Sequence, residues 1–418
     1  VNARAERFPL VDSLRALAAL SILLLHAAIL GGVMDDGAAL QPYIARLDIG
    51  VPIFFVISGF LLYRPFVAAR LSGRAGPAVL PYAWRRFLRI VPAYWVALTV
   101  IALVLSLDDV FTARGLGAYY GFMQLYSTDT AGGGITQAWT LCVELSFYAA
   151  LPLLAWVVRS VARRGRERSV APELWVIGGL SVASIAFNVV VAYGGLGDAI
   201  TYAPVPLLSA LPASFFFFGL GMLLAVLSAW RSESGSAGRL SRIVGLVERR
   251  PALAWLVALV AFVVVARVCA RGGAFNELSP SHWMARQVLY AVVAVAFVVP
   301  ALFGDPGRGV VRRLLANRVL LYLGLISYGI YLWHLGVMLK LADWGFGDSV
   351  LIHPYVHWAL AGFVVTVAIA SLSYFLVERP ALSLKRLVGR GGDGVEAAAA
   401  SGEAIAEPAP AAPPVVRP

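Results

Sequence analysis

Arg15 and His26 stand eleven positions apart inside one apolar run that begins near Pro9. At about 100° per residue they come within roughly 20° of each other around a helix, and the rise separates them by about 16 Å. An ionisable side chain at the centre of a bilayer costs about 2.5–3.5 kcal/mol and usually marks a cavity or a pathway. Arg15 has two readings. Near the end of a span it can snorkel to the interface, or it can reach into a polar cavity with Asp12, three residues earlier on the same face, as its partner. His26 lies deeper, where a neutral imidazole can take a proton from a hydroxyl as that hydroxyl attacks.

Other groups also sit where packing alone does not ask for them. Glu144 falls within the apolar stretch Trp139 to Tyr148, so it needs a cation beside it or a proton on it. Ser327, Tyr328, Tyr331, Trp333 and His334 share one short stretch of a later run. An interfacial aromatic belt would account for its rings; a polar cavity in the outer half of the span would account for all of it. Arg85, Arg86 and Arg89 form a basic cluster in a loop directly before Pro92 and the third span. Cytoplasmic loops favour such residues, and closely spaced guanidinium groups also suit a phosphate-bearing ligand. In the second run, Asp48 to Phe60, the residues Gly50, Pro52 and Gly59 weaken or kink a helix. They serve either a small-residue packing face or a cavity wall. A histidine base, a carboxylate, hydroxyls and a cytoplasmic arginine cluster together fit a transfer reaction within the membrane that draws on an anionic donor.

The elements that must position these groups are membrane spans. Of 418 residues, 60% are hydrophobic and 14% charged, where a soluble domain carries roughly a quarter charged. Ten apolar runs, at 10–30, 47–66, 90–107, 137–158, 174–193, 208–229, 252–270, 285–303, 319–342 and 355–377, match a hydrocarbon core about 30 Å thick. The expected fold is all-α, a polytopic membrane helical bundle of about ten transmembrane helices. The net charge of +11 comes from short basic clusters between the runs on alternating sides. That is a topology signal and not a nucleic-acid surface, and it places both termini in the cytoplasm of a multi-pass protein of the inner (plasma) membrane. Residues 1–388 are expected to form one membrane-embedded domain. Residues 389–418, rich in Ala, Pro, Gly and Glu, are expected to be a disordered cytoplasmic tail. Residues 108–136 form a long outside loop whose Gly132–Gly134 run could dip back toward the membrane. No convincing A-x-A-like site follows the first run, which is read as a retained span. Cys142 and Cys269 both lie in apolar runs, so no disulfide framework is implied. His282, His353 and His357 fall in or beside outside loops, where solvated histidines are ordinary. No H-E-x-x-H, Walker or G-x-S-x-G pattern occurs, and no metal is expected.

With these residues in place, the chain resembles the acyltransferase-3 family of integral-membrane acyltransferases, which includes bacterial glycan O-acetylases and some macrolide acyltransferases. The resemblance rests on Leu14 to Ala18 leading to His26, on Phe54 to Phe60, and on Arg86-x-x-Arg89. It continues through Trp139 to Glu144, Ile326 to His334, and the close Val377-Glu378-Arg379-Pro380. Five motifs in series over residues 10 to about 380 carry it, where any one alone is weak. It implies an acyl group, commonly acetyl, moved from acyl-CoA to a hydroxyl of a glycan, a glycolipid or a glycosylated small molecule such as a macrolide sugar. Carried over by position, Arg15 and His26 match the family's catalytic pair, and Arg86 and Arg89 match its acyl-CoA contact.

Glu144 and His334 are added as catalytic candidates, the carboxylate to orient an imidazole or tune it. Asp48, Trp139, Ser327 and Tyr331 are candidates to contact substrate. Arg15 or a helix dipole could offset oxyanion charge or orient the donor, and an acyl-histidine intermediate is a second route. Cys142 stands where many relatives have Ser or Thr, so no required hydroxyl is expected there. Some relatives carry a further esterase-like domain; the membrane domain here is expected to complete the transfer or to pass the acyl group to a partner. From another class, ten spans and intramembrane charges also permit a transporter of an acylated or anionic solute, against which the missing internal repeat counts.

Overall fold

The computed structural model describes residues 8–34, 39–163, 169–194, 206–234, 239–272, 279–305, 307–347 and 352–388. Among the described residues there is no strand. Among the described residues nine helices are long and apolar enough to cross a membrane, or ten crossings if a bent pair is counted as one span. They are α1 (Leu10–Leu30), α2 (Gly50–Leu71), α3 (Val79–Val104), α4 (Trp139–Arg163), α5 (Ala171–Tyr193), α6 (Leu211–Ser234), α7 (Pro251–Val268) and α8 (Pro280–Leu302). The bent pair is α9 (Arg318–Leu325) with α10 (Ser327–Asp343), and α11 (Pro354–Ser373) follows. Twenty-one residues at 1.5 Å each make α1 about 32 Å long, enough to cross a core about 30 Å thick. In hydrocarbon every backbone group must find its partner within the chain. That constraint makes helix even of β-branched stretches such as Val263-Val264-Val265 in α7.

Counted as ten crossings, the spans bring Leu10 and Leu387 to one end of the bundle, together with the basic inter-helix turns. Arg312, read from sequence as a topology residue, is fully buried at this basic end. Its guanidinium donates to the carbonyls of Pro300 (2.9 Å), Phe303 (2.7 Å) and Glu248 (2.9 Å). It thereby satisfies carbonyls that the end of α8 leaves unbonded.

Close backbone approach holds the core together. A Cβ on Gly59 of α2 would lie 2.1 Å from the Phe218 carbonyl oxygen, and one on Gly221 of α6 would lie 2.0 Å from that of Val56. The two glycines admit each other's helix, which decides for the packing face at Gly59. Phe218 then stacks between Phe55 and Phe147, at 4.5 and 4.2 Å. Gly50 likewise meets the Ala18 carbonyl of α1. Pro52 causes no kink because it falls in the first turn of α2, where its missing N–H has no helical partner to lose.

Three features differ from the sequence expectation. Helix α3 starts at Val79, so Arg85, Arg86 and Arg89 ride on the helix and not in a loop before it. The ninth span is not continuous: it bends by 71° at Ile326, between Gly324 and Ser327, the kind of small-residue pair where helices kink. The segment between α3 and α4 is built of short helical turns, with Val110 and Leu125 buried and the Tyr94 hydroxyl donating to the Tyr119 carbonyl at 3.0 Å. The tail expected at 389–418 lies outside the described residues.

Overpacking a tight contact costs about 1–3 kcal/mol. Gly221→Leu is therefore expected to lower the thermal midpoint of the detergent-solubilised protein by several degrees or prevent its accumulation. Gly178→Ala on α5, where a Cβ would meet nothing within 4 Å, is expected to leave it unchanged.

Candidate active site

His26 on α1 faces His334 on α10, with His334 Nε2 3.1 Å from His26 Nδ1 and ring centroids 4.9 Å apart. Hydrogen bonds to the backbone assign the protons. His334 Nδ1 lies 3.1 Å from the Ile330 carbonyl and 2.9 Å from that of Tyr331. Carbonyls only accept, so Nδ1–H donates, and in a neutral ring Nε2 of His334 is left as an acceptor. His26 Nδ1 in turn faces two acceptors, the Ile22 carbonyl at 2.9 Å and His334 Nε2, so it too carries its hydrogen. The lone pair of His26 is then on Nε2. His334 is fully buried while His26 keeps part of its surface accessible, so the pair has one anchored ring and one that a ligand can reach.

The turn that anchors His334 is itself held from the start of α4 and the turn just before it. Gln137 Nε2 donates to the carbonyls of Tyr331 and Leu332, both at 3.1 Å. The Tyr331 hydroxyl meets Thr140 Oγ1 at 2.8 Å and the Gln137 carbonyl at 2.9 Å. Tyr331, read as a substrate contact, is thus 6% exposed and committed to this brace. Trp139 is half-buried at the start of α4, beside Thr140. Ser327 opens α10 just past the break, buried, with a hydroxyl that has no hydrogen-bond partner. Gln137 and Thr140 escaped sequence reasoning because polar residues at a span's edge look like ordinary interface.

A second cluster lies toward the basic end. Arg15 is within electrostatic reach of Arg89, Asp12, Glu144 and Tyr148. Glu144 accepts from Ser58 Oγ at 2.6 Å and feels Arg15 and Arg86. Arg89 faces Glu378, Nη1 to Oε2 at 3.9 Å. Arg15, Glu144 and Tyr148 each keep part of their surface accessible. Phe54 and Ser58, one turn apart on α2, connect this cluster to the histidine pair's helix: Phe54 meets the Tyr331 ring at 6.0 Å and Ser58 meets Glu144. The ring beside His26 is that of His334, while Glu144 is hydrogen-bonded to Ser58. Arg15, about 16 Å from His26 along α1, stands with Arg89 and not beside the base. Glu378 was legible only as a motif residue, although a carboxylate closing an apolar run was the available signal.

Asp48 is elsewhere. Its carboxylate takes the Tyr290 hydroxyl and pairs with Arg286 Nη1 at 3.6 Å, while Arg286 lies 4.5 Å over the Trp283 ring. These partners make it a link between the start of α2 and α8. Cys142 is buried, with its thiol donating weakly to the Ala138 carbonyl. Among the described residues no three His, Cys, Asp or Glu side chains group as a metal site would.

The acyltransferase-domain family model matches residues 9–375, nearly the whole described chain. The chain belongs to the acyltransferase-3 family. It is an enzyme, a membrane-embedded acyltransferase, and the transporter reading gives way to that assignment. It is 28% identical to nodulation protein 10 of Rhizobium leguminosarum bv. viciae, over 80% of this chain and 82% of the relative. It is 26% identical to YrhL, a candidate peptidoglycan O-acetyltransferase of Bacillus subtilis, over 89% of this chain. A candidate O-acetyltransferase of Staphylococcus aureus strain COL is 22% identical, also over 89% of this chain. This chain spans only 54% and 57% of those two longer relatives. No solved structure matches it.

General-base catalysis is worth typically 10²–10⁴ in rate. His334→Ala, which removes one of the two acceptors that face the His26 Nδ1 hydrogen, is expected to lower kcat for acyl transfer by about tenfold, less than loss of the base itself would. The KM for the donor should stay nearly constant. An unaltered kcat would separate His334 from the chemistry.

Proposed function

We propose that this acyltransferase moves an acetyl or similar acyl group from acyl-CoA to a hydroxyl of a glycan or glycolipid, with His26 as the general base. The observation that carries the reading is the proton arrangement of the histidine pair, which leaves the accessible ring with its lone pair on Nε2. His26 Nε2 takes the hydroxyl proton as the oxygen attacks the thioester carbonyl. The positive charge that forms on the ring is held by the Nδ1–H bond to His334 Nε2. Collapse of the tetrahedral intermediate breaks the carbon–sulfur bond, and the proton on His26 passes to the departing thiolate.

The donor end fits the arginine cluster. Arg86 Nε is buried without a hydrogen-bond partner, and guanidinium groups bind phosphate oxygens in pairs. With the phosphates of CoA at Arg15, Arg86 and Arg89, the long pantetheine arm would run beside Ser58 and Phe54 toward His26. The basic end would face the cytoplasm, where acyl-CoA is found, and both termini would lie there with it. A carbohydrate acceptor is favoured by the peptidoglycan for which the Bacillus relative is named.

The test is transfer of labelled acetyl from acetyl-CoA to polysaccharide or glycolipid acceptors by the purified protein. His26→Ala is expected to abolish transfer while the protein remains folded in detergent, and full activity would sink the mechanism. Hydrogen bonds to charged groups contribute about 1.5–3 kcal/mol each. Arg86→Ala with Arg89→Ala should therefore raise the KM for acetyl-CoA by roughly tenfold or more; an unchanged KM would return both arginines to topology alone.

A further inference from the structure

Glu378 closes the π-helical turn Tyr374–Glu378 at the foot of α11. Its side chain is 1% exposed, and neither carboxylate oxygen has a hydrogen-bond partner. Arg89 Nη1 stands 3.9 Å away, about an ångström beyond the 2.7–2.9 Å of an arginine–carboxylate hydrogen bond. Arg15 is within electrostatic reach, and the nearby Tyr328 hydroxyl donates to the Ile90 carbonyl instead. Buried carboxylates are ordinarily well hydrogen-bonded, and each exception asks for an explanation. Here a buried carboxylate faces two of the three guanidinium groups of the cluster without being bonded to either. A carboxylate placed to build the site would be locked to Arg89 in the forked geometry that arginine favours. One left at a distance attracts the arginines without binding them firmly.

We propose that Glu378 is a built-in counter-anion of the arginine site, competing with the donor's phosphates so that spent CoA can leave. The inference rests on the reading of Arg15, Arg86 and Arg89 as the site for those phosphates. When phosphate oxygens take Arg89, Glu378 loses its nearby cation and stays buried beside the incoming negative charge. That repulsion weakens the complex and favours release, and it returns Arg89 to Glu378 once the site empties. Glu378 touches no reacting atom; it acts through Arg89 and Arg15 as a positioning residue that sets affinity.

A structural role for Glu378 predicts the opposite sign, because an arginine held in place by its carboxylate would be misplaced without it. Thermal-shift titrations of the full chain in detergent, with CoA and with inorganic pyrophosphate, separate the two. Glu378→Gln, which keeps the shape and removes the charge, is expected to lower both dissociation constants on the order of tenfold. CoA should become a correspondingly stronger product inhibitor. Unchanged or weaker binding in Glu378→Gln overturns the proposal. If that variant does not accumulate, Glu378→Asp, which withdraws the charge from Arg89 by one methylene, should shift both constants in the same direction by less; no shift, or weaker binding, overturns it. Wild-type protein that binds neither probe overturns the donor-site reading and this inference with it, a result that involves no variant and so is distinct from failure of Glu378 alone.

Discussion

Two backbone carbonyls, those of Ile330 and Tyr331, decide what the active site can do. A helical carbonyl accepts one bond from the amide four residues on and has a second lone pair to spare. In α10 His334 Nδ1 turns back onto these two oxygens, and Gln137 Nε2 also reaches that of Tyr331. That fixes one hydrogen on His334, which fixes one on His26, which leaves a base on the single nitrogen that can face a substrate. Much of the surrounding structure serves this chain of protons. Gln137, just before α4, and Thr140, in its first turn, brace the turn, and α1 supplies both His26 and the Ile22 carbonyl behind it.

The break at Ile326 connects the two halves of the site. By bending the ninth span through 71°, it makes α10 a separate helix beginning inside the bundle. Its first turn puts Tyr328 among Glu378, Glu144 and Arg89, and its second and third turns put Tyr331 against His334 and His334 against His26. α1 spans the same interval from Arg15 to His26. A charge-rich cluster and a charge-poor histidine pair are thus held about 16 Å apart on one rigid helix, a spacing suited to a ligand with a charged head and a long reactive arm.

Much of this was legible in the sequence because membranes impose simple rules. The number and order of the spans followed from apolar length, and the ionisable groups stood out because their burial is costly. Arg15, His26, Glu144 and His334 were all visible in that way. What the sequence hid was pairing. Nothing in the spacing of His26 and His334, 308 positions apart, says that their rings meet. Nor does the spacing of Glu144 show that it belongs with Ser58 and the arginines. The start of α3 was misplaced because Arg85, Arg86 and Arg89 interrupt its hydropathy, although arginine is a good helix former. Asp48 looked like Glu144 in sequence, and only the positions of Tyr290 and Arg286 distinguish a carboxylate used as a structural link.

The central claim is that the His26 ring carries its hydrogen on Nδ1 and its lone pair on Nε2. Nitrogen-15 NMR of histidine-labelled protein in bilayers reads this directly, since protonated and unprotonated ring nitrogens resonate far apart, with assignment by comparison to a His26→Gln sample. The account predicts a neutral His26 protonated at Nδ1, together with a neutral His334 that is also protonated at Nδ1. A His26 ring protonated at Nε2 would contradict it, because that nitrogen could then only donate to a substrate hydroxyl and not take its proton.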